Sequence, residues 1–244
     1  MSACFNIQWF ESLDSTNDHL KRNVEDLPDF TVAAALFQTN GKGSRGRNFF
    51  SPDGGLYFSV LLKRELHVSR AHLLTPMAAV AVAEGLAKCG AKNVGIKWVN
   101  DIYITGKKVC GILTETKISP DAQMLEYAII GIGVNLFEPD GGFPEEIKDK
   151  AGAVFSEHLP GLRERCLEAI LDALSTYLDN LADKSFLADY RARSVVVGRE
   201  VEILGDDPER GMAVAIDDEC RLVVQTASGE RVLNSGEVSI GIQS

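Results

Sequence analysis

Residues Thr39–Pro52 read TNGKGSRGRNFFSP. Gly41, Gly43 and Gly46 are interleaved with Lys42, Arg45 and Arg47 inside this loop. Glycine lets backbone N–H groups approach a ligand closely and adopt positive φ. Cations set among such groups suit a phosphate or a carboxylate. A solvated hairpin loop explains the same composition, so the loop alone leaves both readings open. Strand-like runs frame it: Thr31–Gln38 (TVAAALFQ) leads in and Leu56–Leu62 (LYFSVLL) leads out. The near-continuous apolar character of Thr31–Gln38 predicts a strand covered on both faces, with Gln38 delivered to its end.

Outward from the loop, the pattern predicts alternating strands and helices. Phe5–Phe10 reads as a first strand, followed by ESLDSTN and a short helix over Asn17–Asn23. Ser15, Thr16 and Asn17 each suit an N-cap, and taken alone capping is the better reading of them. Ser69–Cys89 reads as a helix with Thr75 as its cap before Pro76, and Leu73, Met77, Val80, Ala81 and Leu86 as its buried stripe. Val94–Trp98 and Ile102–Ile104 are strands on either side of Val99-Asn100-Asp101. Thr105-Gly106 turns the chain into Lys107–Glu115 (KKVCGILTE). Strict alternation there puts Lys108, Cys110, Ile112 and Thr114 on one face, and Val109, Gly111, Leu113 and Glu115 on the other. A turn at Pro120-Asp121 leads to Glu126–Asn135 (EYAIIGIGVN). The glycines inside this buried strand, Gly131 and Gly133, mark a bulge or a close approach by another group. After a surface connection over Phe137–Pro160, helices are predicted over Gly161–Leu181 and Phe186–Arg193. From about Ser194 come short alternating runs separated by Asp206-Asp207, Asp217-Asp218 and Ser228-Gly229, the pattern of a small all-β unit.

Composition narrows the function classes. The 244 residues carry a net charge of −10. That charge argues against nonspecific binding to nucleic acid or to an anionic membrane surface, and it makes the cationic loop a local exception. The five cysteines are scattered with no CxxC pair, which indicates neither a zinc site nor a disulfide framework and fits a reducing cytoplasm. No apolar run is long enough to span a bilayer, and no signal pattern opens the chain.

Five motifs in order resemble the biotin protein ligases: Ser15-Thr16-Asn17; Gln38 with GKGSRGRNFFSP; KWVND at Lys97–Asp101; GKKVCGILTE at Gly106–Glu115; and GIGVN at Gly131–Asn135. A GEVSI segment at Gly236–Ile240 extends the resemblance over nearly the whole chain. It implies an α+β fold, a mixed β-sheet flanked by helices over residues 1–193, with a small SH3-like β-barrel over 194–244. It implies a two-step reaction, ATP-dependent formation of biotinyl-5′-AMP and transfer of biotin to a lysine of a biotin carboxyl carrier domain. On this resemblance Lys108, Arg45, Arg47 and Asp101 are catalytic. Ser15, Thr16, Asn17, Gln38, Gly41, Lys42, Gly43, Lys108, Gly111, Gly131 and Gly133 receive biotin. Arg45, Arg47, Phe49, Asn100, Asp101 and Asn135 hold ATP or the adenylate. Asp101 would serve Mg²⁺, mainly through phosphates and water. Cys110, in an apolar strand without a histidine partner, is assigned to the core.

Four positions depart from the family pattern: Lys42 and Ser44 where arginines are usual, Phe49 for tryptophan, and Val99 for proline. Ser44 removes a charge and raises the expectation of a leaky intermediate; Val99 predicts a looser turn. The first strand starts too early to leave room for an N-terminal helix-turn-helix, so a ligase without DNA binding is expected. A lipoate ligase or octanoyl transferase of the same fold, or a noncatalytic biotin sensor, is the alternative. The resemblance also allows a homodimer through an exposed edge strand.

Overall fold

The computed structural model describes residues 4–120, 123–205, 207–234 and 237–240. Asp121, Asp206 and Gly236, named above in turns and in the last motif, lie outside the described residues. A seven-stranded mixed sheet is built from β1 (Asn6–Leu13), β2 (Thr31–Gln38), β3 (Leu56–Leu62), β4 (Gly95–Lys97), β5 (Asp101–Ile104), β6 (Lys107–Ile118) and β7 (Leu125–Val134). The strand order is β1-β2-β3-β7-β6-β5-β4. β1 pairs with β2 in parallel and the remaining ladders are antiparallel.

The two faces of this sheet differ, and the difference positions the site. On one face Val32, Ala34, Leu56, Phe58, Val60, Ile130, Ile132 and Val134 join the main core. There α2 (Leu74–Lys88) and α3 (Leu162–Asp179) cover them. The two helices approach closely at Gly85, where a Cβ would fall 2.5 Å from Ile170 Cγ1. On the opposite face α1 (Thr16–Arg22) seats Leu20 against a smaller cluster with Val24, Ala33, Leu61, Tyr127 and Ile129. Farther along that same face the large side chains stop. Side chains alternate across a strand, so Ser59 on β3, Gly131 and Gly133 on β7, and Gly111 on β6 stand where more apolar bulk would continue. The registers pair Ser59 with Gly131 and Gly111 with Gly133. A hollow is left beside the N-terminus of α1.

The chain continues through α4 (Leu187–Ala192) into a five-stranded antiparallel sheet: β8 (Glu200–Leu204), β9 (Glu209–Ile216), β10 (Leu222–Thr226), β11 (Gly229–Leu233) and β12 (Glu237–Ile240). Its order is β11-β10-β9-β8-β12. Val201, Ile203, Ala213, Leu222, Val224 and Val238 point into the same core cluster as α2 and α3. Among the described residues no helix is long and apolar enough to cross a membrane.

One local expectation is corrected. The helix predicted from Ser69 opens as a 3₁₀ segment over Val68–Leu73 and becomes α-helical at Leu74. Thr75 therefore lies inside the helix and does not cap it; its hydroxyl donates to Thr114 Oγ1 at 2.8 Å. The turn carrying Val99 has partners on either side. The Trp98–Val99 peptide is cis, Tyr190 of α4 donates to Val99 O at 3.0 Å, and Trp98 Nε1 donates to Cys220 O at 2.9 Å.

Candidate active site

The loop after β2 folds back on itself. Gly43 N donates to Arg47 O and Phe49 N to Gly41 O, at 2.7 and 2.8 Å, and Lys42 bridges Asn48. Gly41 is buried, and a Cβ there would fall 2.4 Å from Ser51 Oγ and 2.5 Å from Phe49 O. Its missing side chain is thus taken up by the loop's own packing. Arg45 sits in the left-handed region with φ 59°. The Arg47 guanidinium donates to Ser44 O and Ser44 Oγ, each at 3.3 Å. Lys42 reaches Asp18 of α1 at 2.6 Å, so its charge fastens the loop to the helix as well as facing the hollow.

Two solvent-open clefts adjoin under this loop. The first, about 450 Å³, is lined by Ser15, Thr16, Asn17, Gln38, Lys42, Gly43, Phe49, Lys108, Gly111, Gly131 and Gly133, among others. The second, about 830 Å³, is lined by Arg45, Arg47, Lys97, Trp98, Asp101, Thr114 and Val238, among others. Ser44, Asn100, Ile112 and Leu113 belong to both. Lys108 lines the first cleft and Asp101 the second, and the two side chains meet at 2.6 Å.

Strict alternation on β6 would turn Lys108 away from Gly111. The structure corrects this. The β5–β6 register slips between Ile102 and Tyr103, pairing Ile102 with Cys110 but Tyr103 with Lys108. Val109 is the extra residue of a β-bulge, and such a bulge re-aims a side chain. The result puts Lys108 Nζ 3.3 Å from where a Gly111 Cβ would be.

The first cleft is walled by a hydrogen-bonded group. Gln38 Oε1 accepts from Thr16 N at 2.9 Å, and Gln38 Nε2 donates to Ser51 Oγ at 2.9 Å. Ser15 caps α1 by accepting from Asp18 N at 3.4 Å. Asn17 is almost wholly engaged inside the protein: its amide donates to Glu115 Oε2 at 2.9 Å and its Oδ1 lies 2.5 Å from Ser59 Oγ. Phe49 is half-buried at the end of the loop. Its ring lies over the Gly111–Gly133 pair, with Cε1 2.6 Å from a Gly133 Cβ position, and meets Tyr57 edge to face. It therefore stands in the first cleft, apart from the cations of the second. Asn100 donates to Ile112 O at 2.7 Å and borders both clefts. Asn135 lines neither cleft; its amide donates to Gly152 O at 3.1 Å.

Complete burial pushes the Cys110 thiol far up, which leaves it without thiolate character for nucleophilic work. Glu115 is pushed up by burial, but hydrogen bonds from Asn17 and Lys21 outweigh this and hold it below its ordinary value. Among the described residues no three His, Cys, Asp or Glu side chains gather to hold a metal. One residue behind the site escaped the motif reading: Ser59, which shows itself in sequence as the one small polar residue inside LYFSVLL; Glu115 stands at the end of the GKKVCGILTE motif with no role read for it.

Two clefts meeting at a lysine–carboxylate pair define a protein that holds two ligands side by side on an α+β sheet. Residues 9–135 match the model of the Biotin/lipoate A/B protein ligase family, and residues 196–241 match the Biotin protein ligase C terminal domain. The chain belongs to the biotin protein ligases of that family. It is similar to the bifunctional ligase/repressor BirA of Bacillus subtilis, 30% identical over 94% of this chain and 71% of the relative. It is 27% identical to the biotin–[acetyl-CoA-carboxylase] ligase of Paracoccus denitrificans, over 93% of this chain and 98% of that one. Among solved structures it resembles the biotin protein ligase of Aquifex aeolicus in complex with biotin and ATP. There the TM-score is 0.80 and the identity 29%, covering 97% of this chain and 98% of that one.

Proposed function

We propose that the chain is an ATP-dependent biotin protein ligase that makes biotinyl-5′-AMP and passes biotin to a lysine of a carboxyl carrier domain. The observation that carries this reading is the Lys108–Asp101 contact at 2.6 Å on the seam between the two clefts. A carboxylate and a triphosphate repel each other, and joining them needs a cation where they meet. Biotin occupies the first cleft, its ureido group toward Ser15, Thr16 and Gln38 and its carboxylate toward Lys108. Gly111, Gly131 and Gly133 keep the floor low, and Phe49 flanks the ring system. ATP occupies the second, its phosphates toward Arg45 and Arg47, with Asn100 on the shared wall.

Lys108 aligns the biotin carboxylate oxygen for attack on the α-phosphorus. A C–O–P bond forms, the Pα–O bond breaks, and pyrophosphate leaves with the electron pair. Preorganised cations around that centre stabilise the charge as it shifts. In the second step the carrier's neutral lysine amine attacks the acyl carbon, AMP departs, and the nitrogen loses a proton. Mg²⁺ arriving with ATP would supply further charge neutralisation, and Asp101 would be the carboxylate to help hold it. The loop Gly41–Phe49 shields the anhydride from water. Asn135 takes a supporting role through the Gly152 segment. We place the boundary between the catalytic unit and the C-terminal unit near residue 193.

Biotin-dependent exchange of pyrophosphate into ATP tests the reading. Exchange that requires biotin is expected; exchange driven by lipoate, or by neither acid, refutes it.

A further inference from the structure

We propose that Ser59 and Glu115, neither of which lines a cleft, are positioning residues that fix the direction of the Thr16 hydroxyl, making it a hydrogen-bond acceptor toward the ligand. The inference deepens the biotin reading and rests on it. The geometry is a proton count. Ser59 Oγ is fully buried and lies 2.5 Å from Asn17 Oδ1 and 2.7 Å from Thr16 Oγ1. One hydroxyl carries one proton.

The orientation of Asn17 decides where that proton goes. Its amide nitrogen faces two pure acceptors, the Glu115 carboxylate at 2.9 Å and Leu113 O at 3.5 Å. Asn17 Oδ1 is therefore the atom turned to Ser59, and it cannot donate. Ser59 gives its proton to Asn17. The 2.7 Å contact between Ser59 and Thr16 then needs the Thr16 proton. A second acceptor, Gln38 Oε1, lies farther from Thr16 Oγ1 at 3.2 Å and already accepts from Thr16 N at 2.9 Å. The chain of protons runs from Thr16 to Ser59 to Asn17 to Glu115, with Lys21 Nζ 3.2 Å from the far carboxylate oxygen.

The consequence falls at the cleft wall. Thr16 has no proton left and presents lone pairs. Ser15 accepts from Asp18 N and keeps its own proton. The wall thus offers an acceptor beside a donor, the complement of a ureido group with N–H beside C=O. A thioether ring alone, or a dithiolane, has no N–H to satisfy the acceptor.

The test is a cycle of variants read by calorimetric biotin binding and by steady-state kinetics. Ser59→Ala is expected to weaken biotin by about 10- to 100-fold, the effect of misdirecting one buried hydrogen bond. KM for biotin rises while kcat and KM for ATP stay unchanged. Thr16→Val is expected to lose a similar factor, and adding Ser59→Ala to Thr16→Val is expected to weaken binding no further. Glu115→Ala, nearer the surface, repeats the pattern should Ser59→Ala fail to fold: weaker biotin in wild-type background, no further loss with Thr16→Val. Losses that multiply across the cycle overturn the relay and leave the ligase reading standing. A wild-type protein that binds no biotin overturns both.

Discussion

A methyl group added at either of two neighbouring glycines of β7 should have opposite consequences. At Gly131 a Cβ would lie 2.1 Å from Asn17 Oδ1 and 2.8 Å from Asn17 Cγ. Asn17 is buried and cannot swing aside without breaking its contacts to Ser59 and Glu115. Overpacking costs about 1–3 kcal/mol and stranding a buried polar group about 1–3 more, so Gly131→Ala should lose roughly 2–6 kcal/mol of stability. At Gly133 the obstacle is Phe49 Cε1 at 2.6 Å. Phe49 is half-buried on a surface loop and can lift away, so Gly133→Ala should lose less than about 1 kcal/mol. The methyl then occupies the floor of the first cleft, and biotin binding should weaken by more than about tenfold. Urea unfolding measures the first quantity and calorimetry the second. Equal stability losses, or wild-type biotin affinity in Gly133→Ala, would refute the reasoning.

Three further predictions follow from the site. Lys108→Ala should slow single-turnover adenylate formation by about 10²- to 10³-fold while retaining part of biotin binding; a wild-type rate removes Lys108 from the chemistry. Ser44→Arg puts a guanidinium where both clefts meet and should slow biotinyl-AMP release by about tenfold or more, with an unchanged release rate excluding Ser44 as a source of leakage. Glu115 has a folded-state pKa below its unfolded value, so its stabilisation is complete above the unfolded value of about 4.3 and is lost as pH falls through the folded one. Wild type should therefore exceed Glu115→Gln by up to about 1 kcal/mol at pH 7, and the difference between their unfolding curves should shrink as the pH falls.

Apolar periodicity made most strands and helices legible, because LYFSVLL and the stripe of α3 carry the burial pattern directly. The ordered motifs pointed to both clefts. What escaped were features set by partners distant in the chain. The bulge at Val109 turns Lys108 toward Gly111, and it forms where Lys108 N bonds Lys150 O and Asn135 N bonds Val109 O; nothing within KKVCGILTE signals it. Phe49 reads as a partner for adenine or for the loop, and nothing within NFFSP signals the Gly111–Gly133 pair beneath its ring. Thr75 looks like a cap only while the 3₁₀ lead-in before it is unknown. Ser59 was visible as an anomaly, but its role needed the register that sets it against Asn17.

The indole of Trp98 ties the turn carrying Asn100 and Asp101 to Cys220, across into the C-terminal unit, and Val238 of β12 forms part of the wall of the second cleft. That segment is accordingly a foundation for the second cleft and not a detachable appendage. Exchanging it for the corresponding segment of a relative would transplant the footing of that turn, leaving the indole N–H to find a new acceptor and the cleft a new wall. Natural variation in the two units is therefore expected to be correlated at this seam, even where their outer surfaces diverge freely.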